Sequence, residues 1–194
     1  MARKKEFDQK IVINRAMQVF WKQGYEMTSI QDLVDAMGIG RGSIYDSFKD
    51  KHSLYLLALE QYLNTAKERH YGFFGSMPFK ESIRNLLSFK IALVLDNKQD
   101  IGCFVVNSTI ELAPHDKEVA KYISEFYDWR ENDLSNRIIK AQKSGEIDKN
   151  KDSLAIARSI NNTILGLKVM ARSAGSKRSN EVLEDVVNIC LEGI

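Results

Sequence analysis

The sequence predicts an all-α protein, with a small three-helix unit at the N-terminus and a larger helical body behind it. Three observations lead there. Only 2 prolines occur in 194 residues, and proline is the residue that breaks both helices and central strands. Apolar residues recur at three- and four-residue steps along nearly the whole chain, the period of an amphipathic helix. Strand signals are poor: there is no Asn-Gly or Asp-Gly hairpin and no sustained alternation.

The elements follow in order. Phe7, Ile11, Val12, Ala16, Val19 and Phe20 trace one face of a first helix, and Gly24 is placed to end it. Thr28 and Ser29 offer capping oxygens to a second, short helix carrying Ile30, Leu33, Val34 and Met37. Gly38 stops that helix. After Ile39-Gly40 a third short run points Ile44 and Phe48 inward, and Asp50 is a further cap. A longer run opens at Leu54 and continues to about Phe74. Gly75-Ser76-Met77-Pro78 breaks it, with the proline near the start of the next helix, Ile83 to Val94. A polar turn is expected over 95–102. Cys103 to Ala113 is strongly apolar and stops at Pro114. Helices are then expected over Lys117 to Gln142, Leu154 to Met170 and Val182 to Leu191, joined by the turn Ser144-Gly145-Glu146 and a polar linker over 173–179.

Composition narrows the function. Hydrophobic residues make up 44% and charged residues 28%, the balance of a globular chain with a core. The formal charge of +2 is too small to argue for a polyanion partner by itself. Its distribution is more telling. Residues 1–51 hold nine Lys or Arg against seven Asp or Glu, so the whole excess is N-terminal and residues 52–194 balance to zero. Two cysteines, Cys103 and Cys190, build neither a disulfide framework nor a four-cysteine zinc site. With no apolar signal segment and no stretch near the ~18 residues of a membrane span, a cytoplasmic protein without membrane association is expected.

Residues 29–48 are the informative segment. Two short helices across a tight glycine-containing turn make a helix-turn-helix. In that geometry the first helix crosses the DNA backbone and the second offers its N-terminal residues to the major groove. Here that end reads Arg41-Gly42-Ser43-Ile44-Tyr45. Arg41 suits a bidentate contact to guanine. Gly42 permits close approach, Ser43 can serve base edges or phosphate, and Tyr45 can bond a phosphate. Lys49 and Lys51 stand at the exit as phosphate neutralisers. Thr28 and Ser29 sit where a helix N-terminus favours an anion, although as caps they need no DNA to explain them. The series Gly38-x-Gly40-x-Gly42 is not a nucleotide loop, since that motif needs a preceding strand.

The segment Val12–Leu59 resembles the N-terminal domain of the tetracycline-repressor (TetR) family. The likeness rests on Gly24-Tyr25-x-x-Thr28-Ser29, on Gly38-Ile39 and Arg41 to Tyr45, and on Tyr45-x-x-Phe48-x-x-Lys51. It implies a helix-turn-helix domain over 1–51 and a ligand-binding and dimerisation domain over 52–194. By the same resemblance Gln31, Arg41, Gly42, Ser43 and Tyr45 match base- or phosphate-contacting positions, and Lys51 a phosphate-contacting one. The implied molecule is a homodimer on palindromic double-stranded DNA, most simply a repressor released by a small-molecule inducer. Asp46, Ser47 and Val34 depart from common family choices at their positions.

The C-terminal body is read less sharply. Phe89, Leu93, Phe104, Asn107, Glu111, Phe126 and Trp129 are candidates to line a ligand pocket. Asn107 and Glu111 stand out as polar residues four apart on an apolar helix, so their burial would need partners, either a ligand or a neighbouring helix. Small residues at 155, 157, 159, 166 and 171 suit a close-packed four-helix dimer interface from the last two helices of each subunit. No cofactor and no metal site is expected: Pro114 separates Glu111 from His115, which removes the meaning of their spacing. Cys103 and His115 are too far along the chain for a direct catalytic pair at ~1.5 Å rise per residue. No enzymatic activity is therefore expected. The rival is a helical ligand carrier or enzyme that keeps the fold and binds no operator.

Overall fold

The computed structural model describes residues 7–95, 101–173 and 180–194. Among them every regular element is a helix. The expected polar turn and polar linker, and the side chain of Ala171, lie largely or wholly outside the described residues.

The first three helices are fixed by their ends. Helix α1 spans Gln9–Gln23; the Asp8 carboxylate accepts from the N–H groups of Lys10 and Ile11, and Gly24 ends the helix. Helix α2, Ile30–Met37, starts on a reciprocal cap, in which Ser29 Oγ accepts from the Asp32 N–H and the Asp32 carboxylate accepts from the Ser29 N–H. Gly38 terminates it at φ 70° and ψ 27°, a left-handed conformation that suits glycine. Helix α3, Arg41–Phe48, starts from Gly40 with no side-chain cap. Ile44 and Phe48 are buried as their spacing predicts.

The body begins with α4, Lys51–Tyr71, capped by Asp50, whose carboxylate accepts from the Ser53 N–H at 2.7 Å. Helix α5, Phe79–Leu95, follows Pro78; its free N–H groups at Phe79 and Lys80 donate to the Glu146 carboxylate at 2.9 and 2.8 Å. Then come α6, Phe104–Glu111, which stops short of Pro114, and α7, Lys117–Lys143, capped by Asp116. Helices α8, Ser153–Ser173, and α9, Asn180–Glu192, complete the body.

Two hydrophobic clusters result. One joins α1 to α4 with α6 and the first half of α7, around Phe20, Tyr55, Phe104 and Phe126. The other joins α5, the second half of α7, α8 and α9, around Leu87, Leu134 and Ile160. The small N-terminal helices thus share their core with α6, which fastens them to the body. The clusters meet along α7, between Phe126 and Leu134.

Candidate nucleic-acid interface and its link to the helical body

Helix α3 presents Arg41, Gly42, Ser43 and Tyr45 to solvent while Ile44 and Phe48 hold its other face in the core. The separation follows from helical periodicity: the buried pair is four residues apart. The Arg41 guanidinium lies 5.9 Å from the Tyr45 ring centroid, so the two side chains form one surface. Nothing lies within 4 Å of where a Gly42 Cβ would stand, so this face is open to an incoming surface. Ser29 and Gln31 are also exposed, Gln31 with its amide donating to Asp35 at 2.8 Å. Asp46 is exposed beside them and adds a negative charge to the face.

Lys49 and Lys51 are held in different ways. Lys49 is exposed and has φ 72° and ψ −59°, and the Asp50 N–H donates to the Phe48 carbonyl at 2.8 Å. These values describe a three-residue γ-turn of the rare, strained kind. Lys51 is half-buried, its ammonium 4.3 Å from the Tyr25 ring centroid. Thr28 departs from the expectation of an exposed anion contact. It is 1% exposed, and its hydroxyl donates to the Gly24 carbonyl at 2.6 Å. It closes the turn between α1 and α2 and is not a surface group.

The ligand candidates scatter. Phe104 and Phe126 are buried, Phe104 edge-on to Tyr55 and Tyr62. Phe89 packs on Phe73, whereas Leu93 is exposed. Trp129 packs against Phe126 and His70, and its indole N–H donates to the Tyr71 hydroxyl. Asn107 donates to the Ile101 carbonyl at 3.0 Å. Glu111 faces the reading head instead of the body's interior: its carboxylate accepts from the Glu26 N–H at 3.0 Å and lies against Gly24. From sequence its open partners are a ligand or a neighbouring helix; the partner in the structure is instead the turn between α1 and α2.

That contact belongs to a row along α6, made partly by the N-terminal helices and partly by α4 of the body. At the start of α6, the Trp21 indole donates to the Gly102 carbonyl at 3.2 Å. Midway, the Tyr55 hydroxyl and Ser108 hydroxyl are 2.6 Å apart. Beyond its end, His52 Nε2 is 2.6 Å from the Asp116 carboxylate. Burial raises the Asp116 carboxyl, but hydrogen bonds from Val119 N–H and His52 outweigh it and hold the group below its ordinary range.

Sequence reading misses a set of cations in the body, Arg130 buried and two lysines half-buried. Arg130 of α7, Lys168 of α8 and Lys90 of α5 all stand at or beside positions of an apolar stripe; Arg130 falls between Phe126 and Leu134. That placement is the signal from which they could have been found. Burial would raise the Cys103 thiol, yet the Lys168 ammonium and the Tyr62 hydroxyl beside it hold it below the ordinary thiol range. No group of three His, Cys, Asp or Glu able to hold a metal ion occurs among the described residues. None of their helices is long and apolar enough to cross a membrane.

Residues 12–58 match the family described as bacterial regulatory proteins, tetR family, and residues 80–186 match the tetracyclin repressor-like C-terminal domain. The chain belongs to the TetR family. It is 34% identical to the uncharacterized HTH-type transcriptional regulator YezE of Bacillus subtilis, over 98% of both chains. It is 28% identical to the HTH-type transcriptional repressor ComR of Escherichia coli, over 90% of this chain and 84% of that one. Among solved structures, a cysteine-substituted CifR, a TetR family transcriptional regulator bound to 26-bp double-strand operator DNA, superposes with TM-score 0.83. It shares 26% identity with this TetR-family chain and covers 98% of each.

Proposed function

We propose that this TetR-family chain is a transcriptional repressor that binds a palindromic operator as a homodimer and leaves it when a small molecule occupies the helical body. The carrying observation is the exposed N-terminal end of α3, where Arg41, Ser43 and Tyr45 flank an unobstructed Gly42 on a helix whose other face is core. Gln31 and Ser29 of α2, with Lys49 and Lys51 at the exit, are the phosphate-side contacts. The operator complex of CifR supports the reading.

Residues 1–51 act as the reading head and 52–194 as the sensing and dimerising body. The second copy sits on α8 and α9. There Ala155, Ser159 and Thr163 line an apolar groove of about 580 Å³ with Val186 and Ile189, and Ile189 is 67% exposed. Space is open over Gly166 as well. Two-fold pairing places the heads about one helical turn of DNA apart or a small multiple of it.

Footprinting against genomic fragments tests this. The wild-type protein should protect a discrete palindromic site with salt-sensitive affinity. Arg41→Ala should weaken that site by roughly 5- to 150-fold, the range of about 1–3 kcal/mol for a bidentate base contact, with dimer content unchanged in light scattering. Sequence-indifferent binding by the wild type, or an unchanged footprint for Arg41→Ala, would overturn the assignment.

A further inference from the structure

Arg130 is 4% exposed, and two of its nitrogens, Nε and Nη2, are buried without a hydrogen-bond partner. Its guanidinium carbon lies 5.2 Å from the Phe126 ring centroid and 5.6 Å from that of Tyr127. Those contacts occupy the flat face of the group and leave its N–H edge unused. Burial disfavours the charged form and pulls the guanidinium below its ordinary range. A buried charge with idle donors is costly unless something is meant to meet it.

The same helix shows what such an edge accepts. Seven residues on, Arg137 turns its own Nε and Nη2 to the two oxygens of Asp133, at 2.6 and 3.2 Å. This is the side-on fork that fits one carboxylate with two parallel hydrogen bonds. Arg130 has the fork and lacks the carboxylate. The nearby acids of α7 are committed elsewhere. Asp133 holds Arg137 and His70, and Glu131 holds Arg158 and Asn161.

Other cations converge on the place. The Lys168 ammonium of α8 is near enough to the Cys103 thiol, at the start of α6, for its charge to lower that thiol. Lys90 of α5 is pushed down to about 7, chiefly by burial and then by the neighbouring Lys168 and Arg69 charges. Three helices therefore bring positive groups to the seam between the two hydrophobic clusters, and no protein carboxylate pairs with Arg130, Lys168 or Lys90 among the described residues.

We propose that this seam is the sensing site and that it takes an organic monocarboxylate with an apolar body. The Arg130 Nε–H and Nη2–H groups donate to its two oxygens, and Lys168 closes the open side. The rings of Phe126 and Tyr127 lie against the flat face of the guanidinium. One fork and one ammonium match a single planar carboxylate. A phosphate monoester carries about −1.5 to −2 charge and three acceptor oxygens, whereas the side-on fork matches the two oxygens of one planar carboxylate. The proposal rests on the ligand-released repressor reading above and gives its ligand a chemical class.

Thermal-shift and calorimetric titration of the full-length protein tests it. The probes are hexanoate and benzoate, each beside its uncharged amide, and inorganic phosphate. A carboxylate should raise the melting temperature and its amide should not. Arg130→Met, which keeps the bulk and removes the idle donors, should bind at least tenfold more weakly and melt no lower than wild type. If that variant does not fold, Lys168→Met serves, with weakened carboxylate binding as the expected result. No response to either acid, equal responses to acid and amide, a response to phosphate alone, or unweakened binding in the folded variant would each overturn the site. A lower melting temperature for Arg130→Met together with silent carboxylates would make Arg130 a packing residue and overturn it as well. Gel shift separates the two readings. Carboxylate binding that leaves a formed operator complex intact overturns the sensing role. A wild-type protein that binds carboxylate and no operator overturns the repressor reading and upholds the site.

Discussion

Replacing Gly24 by alanine should unsettle the joint between reading head and body, and the structure says by how much. Gly24 has φ 84° and ψ 170°, a region populated almost only by glycine, and a side chain there costs of order 1–3 kcal/mol. The added Cβ would stand 2.9 Å from both carboxylate oxygens of Glu111. Glu111 must then withdraw and gives up the hydrogen bond from the Glu26 N–H, worth about 1 kcal/mol at an exposed backbone donor. The total is about 2–4 kcal/mol, against the ~5–15 kcal/mol that holds a typical domain together, or a fall of roughly 5–15 °C in melting temperature at this chain length. Urea denaturation of a double-mutant cycle isolates the contact. In a Glu111→Ala background the clash and the lost bond are already gone, so Gly24→Ala should cost only its backbone share, about 1 kcal/mol less than in wild type. Strict additivity of Gly24→Ala and Glu111→Ala, within about 0.3 kcal/mol, would refute the contact as the structure draws it.

Two further outcomes follow from local geometry. Lys49→Gly should relieve the strained turn after α3 and stabilise the protein by about 1 kcal/mol in urea, while weakening operator binding and reducing its salt slope by about one phosphate contact; a destabilised variant would contradict the strain. His70 is 5% exposed and is held to about 4, mainly by burial, with the Asp133 carboxylate at 2.8 Å working the other way. Its folded value lies below the unfolded 6.5, so the unfolded chain takes the proton first: stability is full above pH 6.5 and erodes as pH falls from 6.5 to 4. At pH 5 the loss should be about 2 kcal/mol, and His70→Gln should flatten that part of the urea-midpoint profile; an unchanged slope would refute it.

Much of the fold is legible in the sequence because its determinants are local. Gly24 and Gly38 end helices, while Ser29, Asp50 and Asp116 start them through oxygens that bind N–H groups two or three residues on. The reading head is legible for the same reason, since the exposed end of α3 and its buried Ile44 and Phe48 are one helical period. Residues whose partners are distant in sequence are not. Glu111 and Glu26 are 85 positions apart, and periodicity cannot say that an acid on an apolar helix meets a backbone N–H and not a ligand. Thr28 reads as a cap from its neighbours, and only the packing of the α1–α2 turn shows its hydroxyl covered. Arg130 is the instructive miss. A lone cation at an apolar-stripe position is visible in the sequence, but whether it snorkels outward or points inward depends on what surrounds α7.

The proposed sensing seam and the N-terminal helices are joined by one short helix. Helix α6 begins at Cys103, whose thiol Lys168 approaches, and it ends at Glu111, which grips the turn after α1. Eight residues of helix span only about 12 Å, and Phe104 at its start and Ser108 midway pin it to Tyr55 of α4. A carboxylate drawn to Arg130 and Lys168 competes with the Cys103 thiol for the same ammonium, so occupancy acts on one end of α6 while the other end holds the head. Coupling between two such sites needs only about 1–3 kcal/mol of differential binding, and a single charge-assisted hydrogen bond supplies about 1.5–3 kcal/mol. The ligand need not distort the head at all. In the proposed dimer it has only to bind better in the arrangement where α6 has shifted and the two heads no longer match their half-sites.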